Sequence, residues 1–133
     1  MRVSGTFDVK LEPQKPDNAP AQGAGIGRVS IDKQYHGGLE GTSQGEMLAY
    51  GDGTRSGAYV AIERFSGTVN GRKGSFALVH RSNMSNGVPE RWEILVIPDS
   101  GTEALTGIAG ELRIIFKDKQ HLYEADFTLP DAS

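Results

Sequence analysis

The stretch Ala61-Ile62-Glu63-Arg64-Phe65-Ser66-Gly67-Thr68-Val69-Asn70-Gly71-Arg72-Lys73-Gly74-Ser75-Phe76-Ala77-Leu78-Val79-His80 decides the fold. On both sides of Asn70-Gly71 the residues alternate with period two, as in a half-buried strand. Asn-Gly accepts positive φ at two successive positions, which the two-residue type I′ turn requires, so this dipeptide predicts a hairpin and its register together. Phe65 then faces Phe76, Glu63 faces Leu78 and Ala61 faces His80. Glu63 and His80 become diagonal neighbours on one face, within reach of long side chains.

Upstream, Asp52-Gly53 is a second turn of the same kind. Closed as a two-residue hairpin, it sets Glu46 against Tyr59 and Leu48 against Gly57. One face then gathers Glu46, Tyr50, Tyr59, Glu63 and His80 among Leu48, Phe65, Phe76 and Leu78. In such surroundings desolvation raises carboxyl pKa values and a nearby negative charge holds a proton on histidine, so Glu63 and His80 are the candidate catalytic pair. The ordinary reading is a hydrogen-bonded structural pair. The opposite face, with Val60, Ile62, Ala77 and Val79, is also apolar, so hydrophobicity leaves both faces open as the inner one.

The same pattern continues along the chain. Val3, Gly5, Phe7, Val9 and Leu11 alternate with Arg2, Ser4, Thr6, Asp8 and Lys10. Strands are expected near 2–11, 27–36, 39–50, 55–69, 72–81, 91–97, 108–117 and 120–129. The 18 glycines among 133 residues are about twice the ~7% norm and forbid most long helices. Residues 12–25, with three prolines and no periodicity, predict a loop crossing one end of the structure. Thr102 before Glu103-Ala104-Leu105 resembles a helix cap, with Gly107 and Gly110 limiting the helix to a turn or two. Segment 111–129 lacks Gly and Pro and has a helical reading. A hairpin turning at Asp118-Lys119 gives the cleaner pattern: Leu112, Ile114, Phe116, His121, Tyr123, Ala125 and Phe127 share one face, and Arg113 pairs with Glu124 on the other. Trp92 opens the run Trp92-Glu93-Ile94-Leu95-Val96-Ile97, which suggests burial on both sides. Its indole fits either core packing or a pocket cap.

About eight short strands that each bury one face can close on themselves and remove the exposed edges of an open sheet. The expected fold is all-β: one antiparallel barrel spanning 1–133, mostly up-and-down. A barrel of this strand number is either filled by side chains or able to hold one small ligand.

Composition narrows the function. With no cysteine there is no disulfide and no sulfur-based metal site. His36, His80 and His121 share no metal-ligand spacing, and Gly23-Ala24-Gly25-Ile26-Gly27 leads into a strand-like segment in place of the helix a dinucleotide loop needs, so neither metal nor cofactor is expected. Net charge is −3 with both signs interspersed, which disfavours nucleic acid as a partner. No apolar run approaches the ~20 residues of a membrane helix, and the N-terminus lacks a secretory signal, so a cytoplasmic location without membrane insertion is expected.

Glu46-Met47-Leu48-Ala49-Tyr50 after Gly45, Ala61-Ile62-Glu63-Arg64, Gly67, Gly71, Gly74-Ser75-Phe76 and His80 occur in order, followed by Trp92, Pro98-Asp99-Ser100-Gly101-Thr102, Leu105 and Gly107 to Gly110-Glu111. This set resembles an uncharacterised bacterial domain family whose fold is similar to the allene oxide cyclase barrel that dirigent proteins share. The resemblance implies an antiparallel barrel of about eight strands and no established activity. No allene oxide cyclase catalytic motif stands at matching positions, and a shared fold does not carry a reaction with it.

The leading functional expectation is a barrel that binds a small apolar molecule, with Glu63 and His80 as polar contacts and Glu46, Tyr50, Tyr59, Phe76 and Trp92 around them. One alternative is a cofactor-independent isomerase or cyclase in which Glu63 or His80 moves a proton. Another is an interaction module that forms a homodimer through an apolar outer face.

Overall fold

The period-two segments become eight strands: β1 (Arg2–Gln14), β2 (Ile26–Gly37), β3 (Leu39–Tyr50), β4 (Gly57–Val69), β5 (Arg72–Ser85), β6 (Val88–Val96), β7 (Ala109–Lys117) and β8 (Gln120–Thr128). Each is antiparallel to the next, and β8 pairs with β1, so the sheet closes into an up-and-down barrel. The structure, a computed structural model, describes residues 1–51, 55–86 and 88–130.

Asn70 (φ 47°) and Gly71 (φ 86°) close the β4–β5 turn in the left-handed region. The register is the expected one, with Phe65 opposite Phe76, Glu63 opposite Leu78 and Ala61 opposite His80. Asp118 and Lys119 are likewise left-handed and close β7–β8 with Phe116 opposite His121, so 111–129 is the hairpin and not a helix. Arg113 reaches Asp126 at 2.9 Å across the outer face of that hairpin and lies 4.0 Å from Glu124.

Asp52-Gly53 lies outside the described residues, and the register expected from it does not occur. β3 ends at Tyr50 and β4 begins at Gly57, a longer connection than a two-residue turn. Glu46 pairs with Ile62 and Leu48 with Val60. The offset is odd, so the side chains of β3 go to the other face: Ser43, Gly45, Met47 and Ala49 point inward, and Glu46, Leu48 and Tyr50 point outward. Ser43 and Gly45 suit the inner side because Phe65 and Glu63, directly opposite them, already fill it.

Which face of β4 looks inward is now plain. Ala61, Glu63 and Phe65 are buried, whereas Val60 and Ile62 stand 47% and 56% exposed. The core fills the end of the barrel near the Asn70 turn. There Phe76 stacks against Phe65 (ring centroids 5.2 Å) and meets Phe127 edge-on at 5.6 Å. The short 3-10 turn Glu103–Leu105 drives Leu105, fully buried, into that end as a stopper. Thr102 stands at its cap position, but its hydroxyl bonds Ser75 on β5 in place of the turn.

The first strand, the loop after it and the burial of β6 differ from the expectation. β1 runs through Glu12, Pro13 and Gln14; it pairs with β8 only as far as Phe7, so Pro13 sits where no neighbour needs its missing N–H. The loop is therefore shorter than 12–25, and its residues Pro16, Asp17, Asn18 and Ala21 line a groove on the outer wall with Arg28 and Leu48. None of them lines the cavity at the barrel's open end. β6 is buried on one side alone, with Ile94 and Val96 inward and Leu95 exposed.

Candidate functional site

The inner faces of β4 and β5 form a ladder that descends from the open end: Tyr59 opposite Ser82, Ala61 opposite His80, Glu63 opposite Leu78, Phe65 opposite Phe76. The aromatic core occupies the lowest rung. Above it lies a buried cluster of polar groups, and above that an apolar cup.

Glu63 is the centre of the cluster and has no solvent contact. Its Oε1 accepts hydrogen bonds from the Tyr35 hydroxyl at 2.6 Å and the Ser43 hydroxyl at 3.0 Å. Its Oε2 lies 2.8 Å from Lys33 Nζ and 2.9 Å from His80 Nε2. The two approaches to Oε2 are short but oblique, so they act through charge more than through linear hydrogen bonding. Burial alone would push the Glu63 carboxyl up; the His80 ring and the Lys33 charge outweigh it and hold the carboxyl well below the usual range. The same negative charge, after burial, raises the Tyr35 hydroxyl well above its ordinary value. An ionised Glu63 at this distance requires a hydrogen on His80 Nε2. Lys33 also lies 4.9 Å from the centroid of the Phe7 ring.

Local sequence builds this cluster. Ile31, Lys33 and Tyr35 alternate onto the inner side of β2, and Ser43 and Gly45 do so on β3. Gly45 stands directly opposite Glu63, and a β-carbon there would lie 2.1 Å from the Ile62 carbonyl oxygen and 2.9 Å from Glu63 Cβ. Only glycine lets β3 pass that close. Among the described residues no three His, Asp or Glu side chains gather as a metal site would need.

The cup above has a volume of about 320 Å³ and is lined by Met47, Ala49, Tyr59, Ser82, Met84 and Trp92, with Tyr50 at its rim. Trp92 stands beside an irregularity in the β5–β6 pairing, between Arg81–Glu93 and Asn83–Glu90, where a bulge re-aims a side chain. It is 51% exposed and lines the cavity, so it is part of the cup wall and not core packing. Burial, the larger influence on Tyr59, raises its hydroxyl above the ordinary value.

The seven residues expected to share a site separate into four places. Glu63 and His80 meet in the buried cluster. Tyr59 and Trp92 form the cup, and Tyr50, outward on β3, reaches only its rim. Phe76 belongs to the packed core, because the aromatic end of the barrel is filled. Glu46 is on the outer wall, where it accepts from Arg28 at 2.7 Å, because the β3 register turned it away. The expected carboxylate cluster with raised pKa values is thus one carboxylate, lowered by its His80 and Lys33 contacts. Lys33, Tyr35 and Ser43 are partners that the reading of the turns missed; a lysine between Ile31 and Tyr35 on an apolar alternation was the signal for them.

An eight-stranded antiparallel barrel, packed at one end, with a buried ion cluster and an apolar cup at the other, is the class of protein that these observations define. The chain belongs to the family described as protein of unknown function (DUF3224), whose model matches residues 3–128. It is similar to a solved structure, a protein with unknown function from the DUF3224 family of Shewanella oneidensis MR-1, at 40% identity over 98% of each chain and with a TM-score of 0.87. No curated protein matches the chain. Among the described residues no helix is long and apolar enough to cross a membrane.

Proposed function

We propose that this barrel binds a small apolar molecule in the cup at its open end. The observation that carries this reading is an apolar cavity of about 320 Å³ whose described lining residues carry no charge. Ligand sites run from roughly 300 to 1,000 Å³ and are mainly apolar with a few placed polar groups. The Glu63 carboxyl, held below its usual range by the His80 and Lys33 contacts, is a weak base, which favours binding over acid–base catalysis.

Trp92 is the single tryptophan of the chain and stands in the cup wall, so its fluorescence reports occupancy. Titration with apolar metabolites is expected to give a saturable blue shift, accompanied by thermal stabilisation of about 2.7 kcal/mol at a hundred times Kd. A screen of terpenoids, short fatty acids and aromatic compounds that moves neither signal rejects the reading.

Exposed Leu48, Val60 and Ile62 on the outer wall favour a second reading, in which a second copy of the chain covers that wall. A solution mass of two chains that falls to one in Ile62→Lys supports it. A mass of one chain for the unaltered protein rejects it.

A further inference from the structure

The cup holds more information than its volume. Tyr59 and Ser82 stand directly opposite each other on β4 and β5, both inward and both in its wall. Each carries a hydroxyl, which can donate a hydrogen as well as accept one. Ser82 Oγ has the Asn83 carbonyl 3.5 Å away, too long to satisfy it. Two hydroxyl donors therefore face one apolar space from adjacent strands.

Charge decides what kind of acceptor suits them. Among the described residues that line the cup none is charged. The buried Lys33 is already paired with Glu63, whose negative charge also reaches Tyr59. Among the described residues of its lining a carboxylate entering here would lose its water and meet no cation, and an unpaired buried charge is far more costly than an unpaired dipole. A neutral carbonyl oxygen accepts two hydrogen bonds without that cost.

We propose that the cup selects an uncharged molecule with an apolar body and one carbonyl-type acceptor, held between the hydroxyls of Tyr59 and Ser82. This rests on the reading of the cup as a ligand site. The cavity equals the volume of about ten liquid waters, which sets the scale of the body at roughly ten non-hydrogen atoms.

Three probes of similar skeleton and size test it: limonene, a hydrocarbon; carvone, a ketone; and perillate, a carboxylate. Dissociation constants come from Trp92 fluorescence, checked by calorimetry. Carvone is expected to bind about tenfold tighter than limonene, a difference of about 1.4 kcal/mol, with perillate weakest. Ser82→Ala and, separately, Tyr59→Phe are expected to remove most of the ketone's advantage while limonene stays within about twofold of its original affinity. Equal binding of carvone and limonene, tightest binding by perillate, or a ketone preference that survives both substitutions overturns the proposal and leaves the cup as an unselective apolar site. Failure of all three to bind overturns the cup reading itself, and this proposal with it.

Discussion

Lys33 Nζ lies 2.8 Å from Glu63 Oε2 inside the barrel, and neither side chain has more than slight contact with solvent. The pair links β2 to β4, two strands that are not neighbours in the sheet, across the interior. On the β4–β5 ladder Glu63 stands between the Phe65–Phe76 rung of the packed end and the Tyr59–Ser82 rung of the cup.

Removal of one partner should be much worse than removal of both. Glu63→Gln leaves the Lys33 charge buried without its anion, and breaking a buried pair in this way costs about 3–5 kcal/mol. Lys33→Met combined with Glu63→Met replaces the pair by apolar groups of similar size and is expected to recover most of that loss. Urea unfolding of the three proteins checks the order. A double variant no more stable than Glu63→Gln contradicts it.

Acid should act through the same carboxylate. Burial pushes its pKa up, but the His80 contact and the Lys33 charge prevail, so its folded value lies below the unfolded value near 4.3. A depressed folded pKa gives stability that is complete above the unfolded value and lost as pH falls toward the folded one. Between about pH 5 and 3 the unaltered protein is therefore expected to lose stability more steeply than the Lys33→Met, Glu63→Met variant, as read from urea midpoints at each pH. Parallel slopes would show that Glu63 is not the group responsible.

Gly45→Ala tests the close approach of β3 to Glu63. The added β-carbon would meet the Ile62 carbonyl oxygen at 2.1 Å, a backbone atom that cannot rotate away. Overpacking of this kind costs about 1–3 kcal/mol and should lower the melting temperature by several degrees. Gly27→Ala, where nothing lies within 4 Å of the new carbon, is the control and should change little. Circular dichroism melts of the two variants compare them directly.

How far the site was legible depends on which turn carried the inference. Asn70-Gly71 specifies both the turn and the pairing, and it led correctly to Phe65–Phe76 and to Glu63 beside His80. The register of β3 against β4 could not be taken from Asp52-Gly53, because the connection from Tyr50 to Gly57 is too long to dictate it. Packing chose it instead: Gly45 is small enough to lie against Glu63, and that choice sent Glu46 outward to Arg28. Lys33 escaped notice because a lysine is ordinarily solvated, and its burial makes sense only once a carboxylate from another strand is placed beside it.

Taken alone, the order of residues determined the strands, two of the tight reversals and the closure into a barrel, since period-two alternation and residues tolerant of positive φ act over a few positions. Tertiary structure decided which wall of β4 looks inward, how β3 registers against it, and that the interior is packed at one end and open at the other. Those outcomes depend on volumes and charges brought together from strands distant in the chain, Lys33 on β2 with Glu63 on β4 above all, and no local pattern contains that meeting.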